Sequence, residues 1–308
     1  MPPPLYFLSG PTAVGKTELS LRWAKALDAE IVSCDVVQFY RGLDIGSAKA
    51  TLKEQQQVRH HFLDIRSPDQ PYTVGDYQSD VRPVIESLHQ AGKNVLITGG
   101  SGFYLSSFFL PLTEVPAPPP EIREEVRETL AAKGLSTLTE RLLHLDPQAG
   151  QHLDLRNPIR VARALERCLT TGLSLAEQKE KQDHARTGWE EYPRKIVLLS
   201  RPREILHQRA AERVRQMISE GLLEEVQNLH RTGLEKNPSA AKAIGYRETL
   251  AYLKGQYPSP GEWEQAIVTS TRRLIRKQET WFRRFFPEAW SHRIDLEANP
   301  TPEMTWTR

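Results

Sequence analysis

Along the first hundred residues, short continuous apolar runs alternate with stretches whose apolar positions recur every three or four residues. Leu5–Ser9 predicts a buried strand, and Lys16–Leu27 carries the periodicity of a helix. Ile31–Cys34 predicts a second strand that delivers Asp35 at its carboxyl end, and Phe62–Ile65 a third. Val74, Tyr77, Val81, Ile85 and Leu88 share one face of a helix that Gly92 stops. Val95–Thr98 is the next strand, followed at once by Gly99-Gly100-Ser101-Gly102. This βαβ alternation predicts a doubly wound parallel sheet, in which ligands collect beyond the carboxyl ends of the strands.

The pattern changes at Pro116–Pro120, a stiff spacer. From Glu121 to about Trp189 only helical signals remain. Ile122, Val126 and Leu130 form one stripe with Gly134 beyond its end, and Thr137/Glu140 and Ser174/Glu177 have capping-box spacing. Asn157-Pro158 opens a helix over Ile159–Leu169. A β-branched run at Ile196–Ser200 reads as a strand rejoining the first sheet, so the helical stretch is expected to be an insertion. Beyond Ser200 the chain reads as helical and closes with a helix over Ile267–Phe286. The expected organisation is an α/β core begun by residues 1–115, an all-helical insertion over 116–192, and residues 193–308 completing the core with further helices.

Composition adds boundaries rather than a function. Hydrophobic residues make up 39% and charged residues 26% of the 308, ordinary for a soluble globular chain. No apolar run approaches the roughly 18 residues that cross a bilayer, and MPPPLYFLSG has no signal-type leader, so a cytoplasmic protein without a membrane or an obligate protein partner is expected. Cys34 and Cys168 lack metal-ligand spacing and read as buried small hydrophobes.

Charge changes the picture more. The net charge of +2 is uneven, since residues 191–308 hold 20 Lys+Arg against 15 Asp+Glu. Arg160, Arg163 and Arg167 share a helix face, and in the closing helix Arg272, Arg273, Arg276, Lys277, Arg283 and Arg284 interleave with Trp281, Phe282, Phe285 and Phe286. Two readings stay open: a phosphate backbone with stackable bases, or aromatics that dock the helix beneath solvated arginines.

The strongest local signal is GPTAVGKT: Gly10, Pro11, Thr12, Ala13, Val14, Gly15, Lys16 and Thr17 form a P-loop between a strand and a helix. Its glycines let backbone N–H groups wrap phosphate oxygens, and the helix N-terminus adds partial positive charge. Lys16 would hold non-bridging oxygens, and the Thr17 hydroxyl would help hold Mg²⁺. The loop does not say whether a phosphoryl group is transferred or a diphosphate leaves from carbon. Asp35 is placed to take a proton or bind a metal, Gln38 to pair with an adenine edge, Ser101 to bond a leaving oxygen, and Arg213 to supply a second cation. These residues also fit a small-molecule or nucleoside kinase, and the basic tail fits an RNA-binding protein switched by a nucleotide.

Seven stretches narrow the choice: GPTAVGKT (10–17), DVVQFYRGLDIGSAK (35–49), GGSGFYL (99–105), NPIRVARALE (157–166), RVRQM with GLLEEV (213–226), KAIGYR (242–247) and TRRLIRKQETWFR (271–283). Together, in this order, they resemble the tRNA dimethylallyltransferases (tRNA isopentenyltransferases) in their bacterial form. The resemblance implies transfer of a dimethylallyl group from dimethylallyl diphosphate to N6 of the adenosine at tRNA position 37, beside the anticodon, with Asp35, Ser101, Lys16 and Arg213 as catalytic groups. It implies tRNA contacts from Asp35, Val36, Val37, Gln38, Ser101 and Arg123. It further implies contacts from Ile159, Arg160, Val161, Ala162 and Arg163, and from Lys242, Ala243, Ile244, Gly245, Tyr246 and Arg247. The last run is Thr271, Arg272, Arg273, Leu274, Ile275, Arg276, Lys277 and Gln278. The helical insertion would grip the anticodon stem-loop. Val36 departs from the family pattern, which has serine there, whereas Ser101 in place of the usual threonine keeps a hydroxyl.

Overall fold

Leu5–Ser9 (β1), Ala29–Ser33 (β2), His60–His61 (β3), Asn94–Gly99 (β4), Arg194–Ser200 (β5) and Ser291–Asp295 (β6) form one parallel sheet in the order β3-β2-β4-β1-β5-β6. The computed structural model describes residues 1–112, 116–183, 185–287, 290–304 and 306. Two compact units result, residues 1–108 with 190–308, and residues 109–189. Residues 113–115, where the sequence reading ends its first segment, lie outside the described residues.

β1 lies between β4 and β5, and its Leu5, Phe7 and Leu8 are fully buried, as expected of a strand covered on both faces. The β2 strand starts two residues ahead of the expected Ile31. The third strand is not at Phe62–Ile65. Phe62 (φ 63°) and Asp64 (φ 57°) are left-handed, which ends the strand at His61, and the Phe62 ring packs on Tyr77 at 5.2 Å. β6 gave no apolar signal because Ser-His-Arg-Ile-Asp buries only Ser291 and Ile294 at the sheet edge. The expectation of an all-helical end is corrected by this strand.

Helices follow from caps and apolar faces. α1 (Lys16–Ala26) leaves the P-loop at Gly15, α2 (Leu52–Gln57) has a Thr51/Glu54 capping box, and α3 (Val74–Gln90) a Thr73/Asp76 one. α4 (Gly102–Ser106) starts just after β4. Between these elements Gly99 is pressed against β2, where an added Cβ would stand 2.1 Å from the Cys34 carbonyl oxygen and 2.4 Å from its carbon. Backbone cannot yield as a side-chain tip can. Gly99→Ala is therefore expected to cost about 3 kcal/mol or more of unfolding free energy, and an unchanged urea midpoint would show that the strands can part.

The unit over 109–189 is helical: α5 (Pro120–Leu145), α6 (Ala149–His152), α7 (Pro158–Thr171) and α8 (Leu175–Asp183) enclose Val126, Leu138, Leu142, Val161, Leu165, Cys168 and Leu175. Asn157 Oδ1 accepts from the Arg160 amide (3.2 Å) to cap α7, and Ser174 and Glu177 make the expected reciprocal bonds. Thr137 and Glu140 do not form a capping box. Gly134 (φ 80°) kinks α5, and Thr137 lies beyond that break with its hydroxyl bonded to the Lys133 carbonyl (3.3 Å).

The first unit is completed by α9 (Arg203–Ser219), α10 (Leu222–Arg231), α11 (Pro238–Ala241), α12 (Tyr246–Leu253) and α13 (Pro260–Phe285). α13 starts seven residues before the expected Ile267, capped by Ser259, because Trp263 continues its buried stripe. Among the described residues no helix is long and apolar enough to cross a membrane.

Candidate active site

The loop between β1 and α1 has the alternating backbone of an anion nest. Ala13 (φ 64°) and Gly15 (φ 109°) flank Val14, and the left-handed Ala13 costs about 1 kcal/mol that its surroundings must offset. Gly10 is required by close approach, since a Cβ there would lie 2.6 Å from the Leu199 carbonyl oxygen on β5. Lys16 Nζ donates to the carbonyls of Gly10 and Pro11, each at 2.9 Å. Arg209 Nε donates to the Ala13 carbonyl (2.8 Å) and Arg201 Nε to that of Val14 (3.0 Å). The Thr12 amide donates to Gln278 Oε1 (2.9 Å), and Gln278 Nε2 donates to the Gly100 carbonyl (2.9 Å).

Asp35, Lys16, Ser101 and Arg213 converge beyond the strand ends. The position a Cβ would take at Gly100 is 3.7 Å from both Asp35 Oδ2 and Lys16 Nζ, which places carboxylate and ammonium on the same small space, and 2.9 Å from Gln278 Nε2. Val36 N–H donates to Ser101 Oγ (3.1 Å), which ties the turn after β2 to the turn after β4 and leaves the hydroxyl proton for another acceptor. Asp35 Oδ1 accepts from the Val37 amide (3.2 Å). Burial pulls the Lys16 ammonium down to about 8, with Asp35 raising it and Arg213 lowering it further. Burial also lowers Arg213, while Asp35 opposes the shift and Arg209 adds to it. One carboxylate thus faces a group of cations that partial desolvation has left short of counter-charge, an arrangement suited to an incoming polyanion.

Around this centre the remaining candidates divide. Gln38 is tied inward, accepting from Ser33 Oγ (3.0 Å) and donating to the Ala48 carbonyl (3.5 Å). Arg272, Arg273, Arg276 and Lys277 are exposed on α13, and Lys242 and Arg247 near the start of α12, though Arg247 is bonded to Glu248 and to Ser270 (3.1 Å). Thr271, Leu274, Ala243 and Ile244 are half-buried. Within the helical unit Arg123, Ile159, Arg160 and Arg163 are exposed and Ala162 half-buried. Val161, Gly245, Tyr246 and Ile275 are buried and hold the segments whose neighbours face outward. Phe282 and Phe286 are buried and Trp281 packs on Gly102, so these aromatics dock α13.

Four residues escaped the sequence reading or its role for them. Arg201, Arg209 and Gln278 reach the P-loop from positions 187, 196 and 266 residues away. Glu225 accepts from the amides of Asp44 (3.2 Å), Ile45 (2.7 Å) and Gly46 (3.2 Å) and from the Tyr246 hydroxyl (2.7 Å), fixing the loop after Gln38. The motif stretches contained Glu225, Tyr246 and Gln278, but nothing in one dimension paired them.

Among the described residues no cluster of three or more His, Cys, Asp or Glu could hold a metal ion. A cation brought in with a phosphate ligand keeps water and phosphate oxygens and takes one or two protein ligands, so it needs no such cluster. Thr17, exposed at the start of α1, offers one hydroxyl oxygen there.

The family model described as IPP transferase matches residues 38–285. A tRNA dimethylallyltransferase of Opitutus terrae is 42% identical over 286 residues, spanning 93% of this chain and 92% of that protein. The chain belongs to the tRNA dimethylallyltransferase family. A second family member, from Clostridioides difficile, is 40% identical over 93% of this chain and 91% of its own length. Among solved structures, the tRNA isopentenylpyrophosphate transferase of Bacillus halodurans superposes with a TM-score of 0.67 at 32% identity, covering 95% of this chain and 90% of that one. A eukaryotic dimethylallyltransferase acting on tRNA superposes with a TM-score of 0.80 at 22% identity, covering 96% of this chain and 74% of the other, and shares the fold. The family resemblance and the doubly wound α/β class expected from the motifs are both borne out.

Proposed function

We propose that this protein transfers the dimethylallyl group of dimethylallyl diphosphate to N6 of adenosine 37 in tRNA, releasing diphosphate. The observation that carries the reading is the convergence of the Asp35 carboxylate and Lys16 Nζ, each 3.7 Å from the Cβ position of Gly100, with Arg213 close enough to act electrostatically on both. A kinase needs the cations but gives Asp35 an acceptor hydroxyl to deprotonate. A prenyl transfer to an amine uses all of these groups with no nucleotide.

N6 attacks C1 of the allylic group. The C1–O bond breaks and its electron pair leaves on the diphosphate, while the N6 proton passes to an Asp35 oxygen. Lys16, Arg213 and the amides of the P-loop hold the negative charge that develops on the leaving group, and the Ser101 hydroxyl donates to an oxygen as that charge grows. Mg²⁺ held by Thr17 and the diphosphate would supply further neutralisation of that charge. The target adenine lies inside a stacked loop, so it has to be turned out of its stack to reach Asp35. The helical unit, with Arg123, Ile159, Arg160 and Arg163 outward, is assigned to the anticodon stem-loop, and α13 to the adjoining phosphates.

Incubation with Mg²⁺, dimethylallyl diphosphate and unmodified tRNA should yield an adenosine heavier by one dimethylallyl group in the nucleoside digest. Product formed only with ATP, or none, overturns the reading. If the exposed α13 cations meet phosphates, tRNA affinity should fall steeply with salt, and Arg276→Ala or Lys277→Ala should each flatten the slope of log K against log[salt] by about one unit or slightly less. A slope unchanged in both variants removes that face from the contact.

A further inference from the structure

Four carbonyls of the P-loop are bonded to side-chain cations, and they fall into two pairs. Those of Gly10 and Pro11 are held by Lys16, the residue that an incoming diphosphate would recruit. Those of Ala13 and Val14 are held by Arg209 and Arg201, reaching in from α9 and from the residue just after β5. A carbonyl and the following N–H belong to one rigid peptide plane and point in opposite directions. Fixing the oxygens of Ala13 and Val14 therefore sets the directions of the Val14 and Gly15 amides, the donors an anion nest needs. The Val14 amide already faces across the loop, 3.4 Å from the Pro11 carbonyl.

We propose that Arg209 and Arg201 are positioning residues of the diphosphate site, holding the P-loop peptides in their anion-binding orientation before the donor arrives. Arg209 has its Nε committed to Ala13, the one non-glycine residue of the loop in the left-handed region, and so offsets strain at that residue. Arg201 is itself anchored: its Nη1 meets Glu297 Oε2 at 2.5 Å, and it is largely buried. Glu297 comes two residues after β6, in a segment whose Leu296 amide donates to the Ser200 carbonyl (3.0 Å) and whose Leu296 side chain approaches Gly15. The edge strand thereby buttresses the phosphate loop from behind, through Glu297 and Arg201.

This inference rests on the loop being a diphosphate site, and its test separates the two. Glu297 is an anion outside the site, so simple electrostatics predicts that Glu297→Gln tightens anion binding, whereas a positioning role predicts that it weakens it. Inorganic pyrophosphate with Mg²⁺ is the probe, titrated calorimetrically into the full chain, with the melting temperature and tRNA affinity measured alongside. Glu297→Gln should weaken pyrophosphate binding about threefold or more, Arg209→Leu about tenfold or more, and Arg209→Lys should recover most of that loss because one donor suffices for Ala13. Steady-state assays should place the defect in the donor KM rather than in kcat. Pyrophosphate affinity unchanged or tighter in Glu297→Gln, or lost equally in Arg209→Lys and Arg209→Leu, overturns the proposal. Should Arg209→Leu fail to fold, the Glu297→Gln and Arg209→Lys titrations still decide. Wild-type protein that binds pyrophosphate yet does not prenylate tRNA would instead overturn the proposed activity alone.

Discussion

Asp35→Asn is expected to lower kcat by roughly 10²–10⁴-fold and to leave tRNA affinity within about twofold. Asparagine keeps an oxygen for the Val37 amide, now 3.2 Å from Asp35 Oδ1, and nearly the same volume, so the turn after β2 should persist. What it loses is the capacity to accept a proton. The exocyclic amine of adenine is a poor nucleophile because its lone pair is delocalised into the ring, and the C–N bond forms easily only as a proton is drawn off. Single-turnover rates with saturating tRNA isolate this step, and a rate within a few-fold of wild type would reduce Asp35 to a turn residue. The same variant carries an electrostatic signature. Asp35 raises the Lys16 pKa, so its neutralisation should move the Lys16 titration to lower pH than the value of about 8 in the intact site.

Lys16→Met should reduce kcat/KM for the donor by roughly 10²–10³-fold, the loss expected when one pre-positioned donor to a developing oxyanion is removed. The wild-type pH dependence follows from the same group with a definite sign. Burial holds Lys16 down to about 8, so the ammonium is charged below that pH and neutral above it. Diphosphate binds the charged form. Donor affinity should therefore weaken as pH rises through about 8, by up to about tenfold per pH unit, and Lys16→Met should abolish that dependence. Pyrophosphate titrations at several pH values measure it directly, and a flat wild-type profile would mean that Lys16 does not meet the anion.

The chemistry-bearing parts were legible because they are local. A P-loop announces itself by glycine and lysine spacing within eight residues, and Asp35 and Ser101 follow strands whose apolar runs are easy to see. Caps at Asn157 and Ser174 were readable for the same reason, since the bond spans three residues. Errors came where local signals compete with packing. The capping-box spacing of Thr137 and Glu140 was outweighed by a kink at Gly134, and Phe62–Ile65 left strand geometry because the Phe62 ring is drawn onto Tyr77. β6 was unreadable because an edge strand buries too few side chains to imprint a pattern.

The sequence by itself determined the parallel α/β class, the phosphate loop, the general base candidate and the family, because each depends on contiguous residues or on the order of short motifs. Only the tertiary structure decided which side chains complete the loop. Gln278 on the Thr12 amide, Arg209 on Ala13, Arg201 on Val14, and Glu225 on the amides of Asp44–Gly46 are all contacts between residues more than 170 positions apart. An arginine on a helix looks the same in sequence whether it ends in water or on a carbonyl. The difference is made by the sheet, which brings the ends of β1, β2, β4 and β5 to one edge and turns distant cations onto a single turn of backbone.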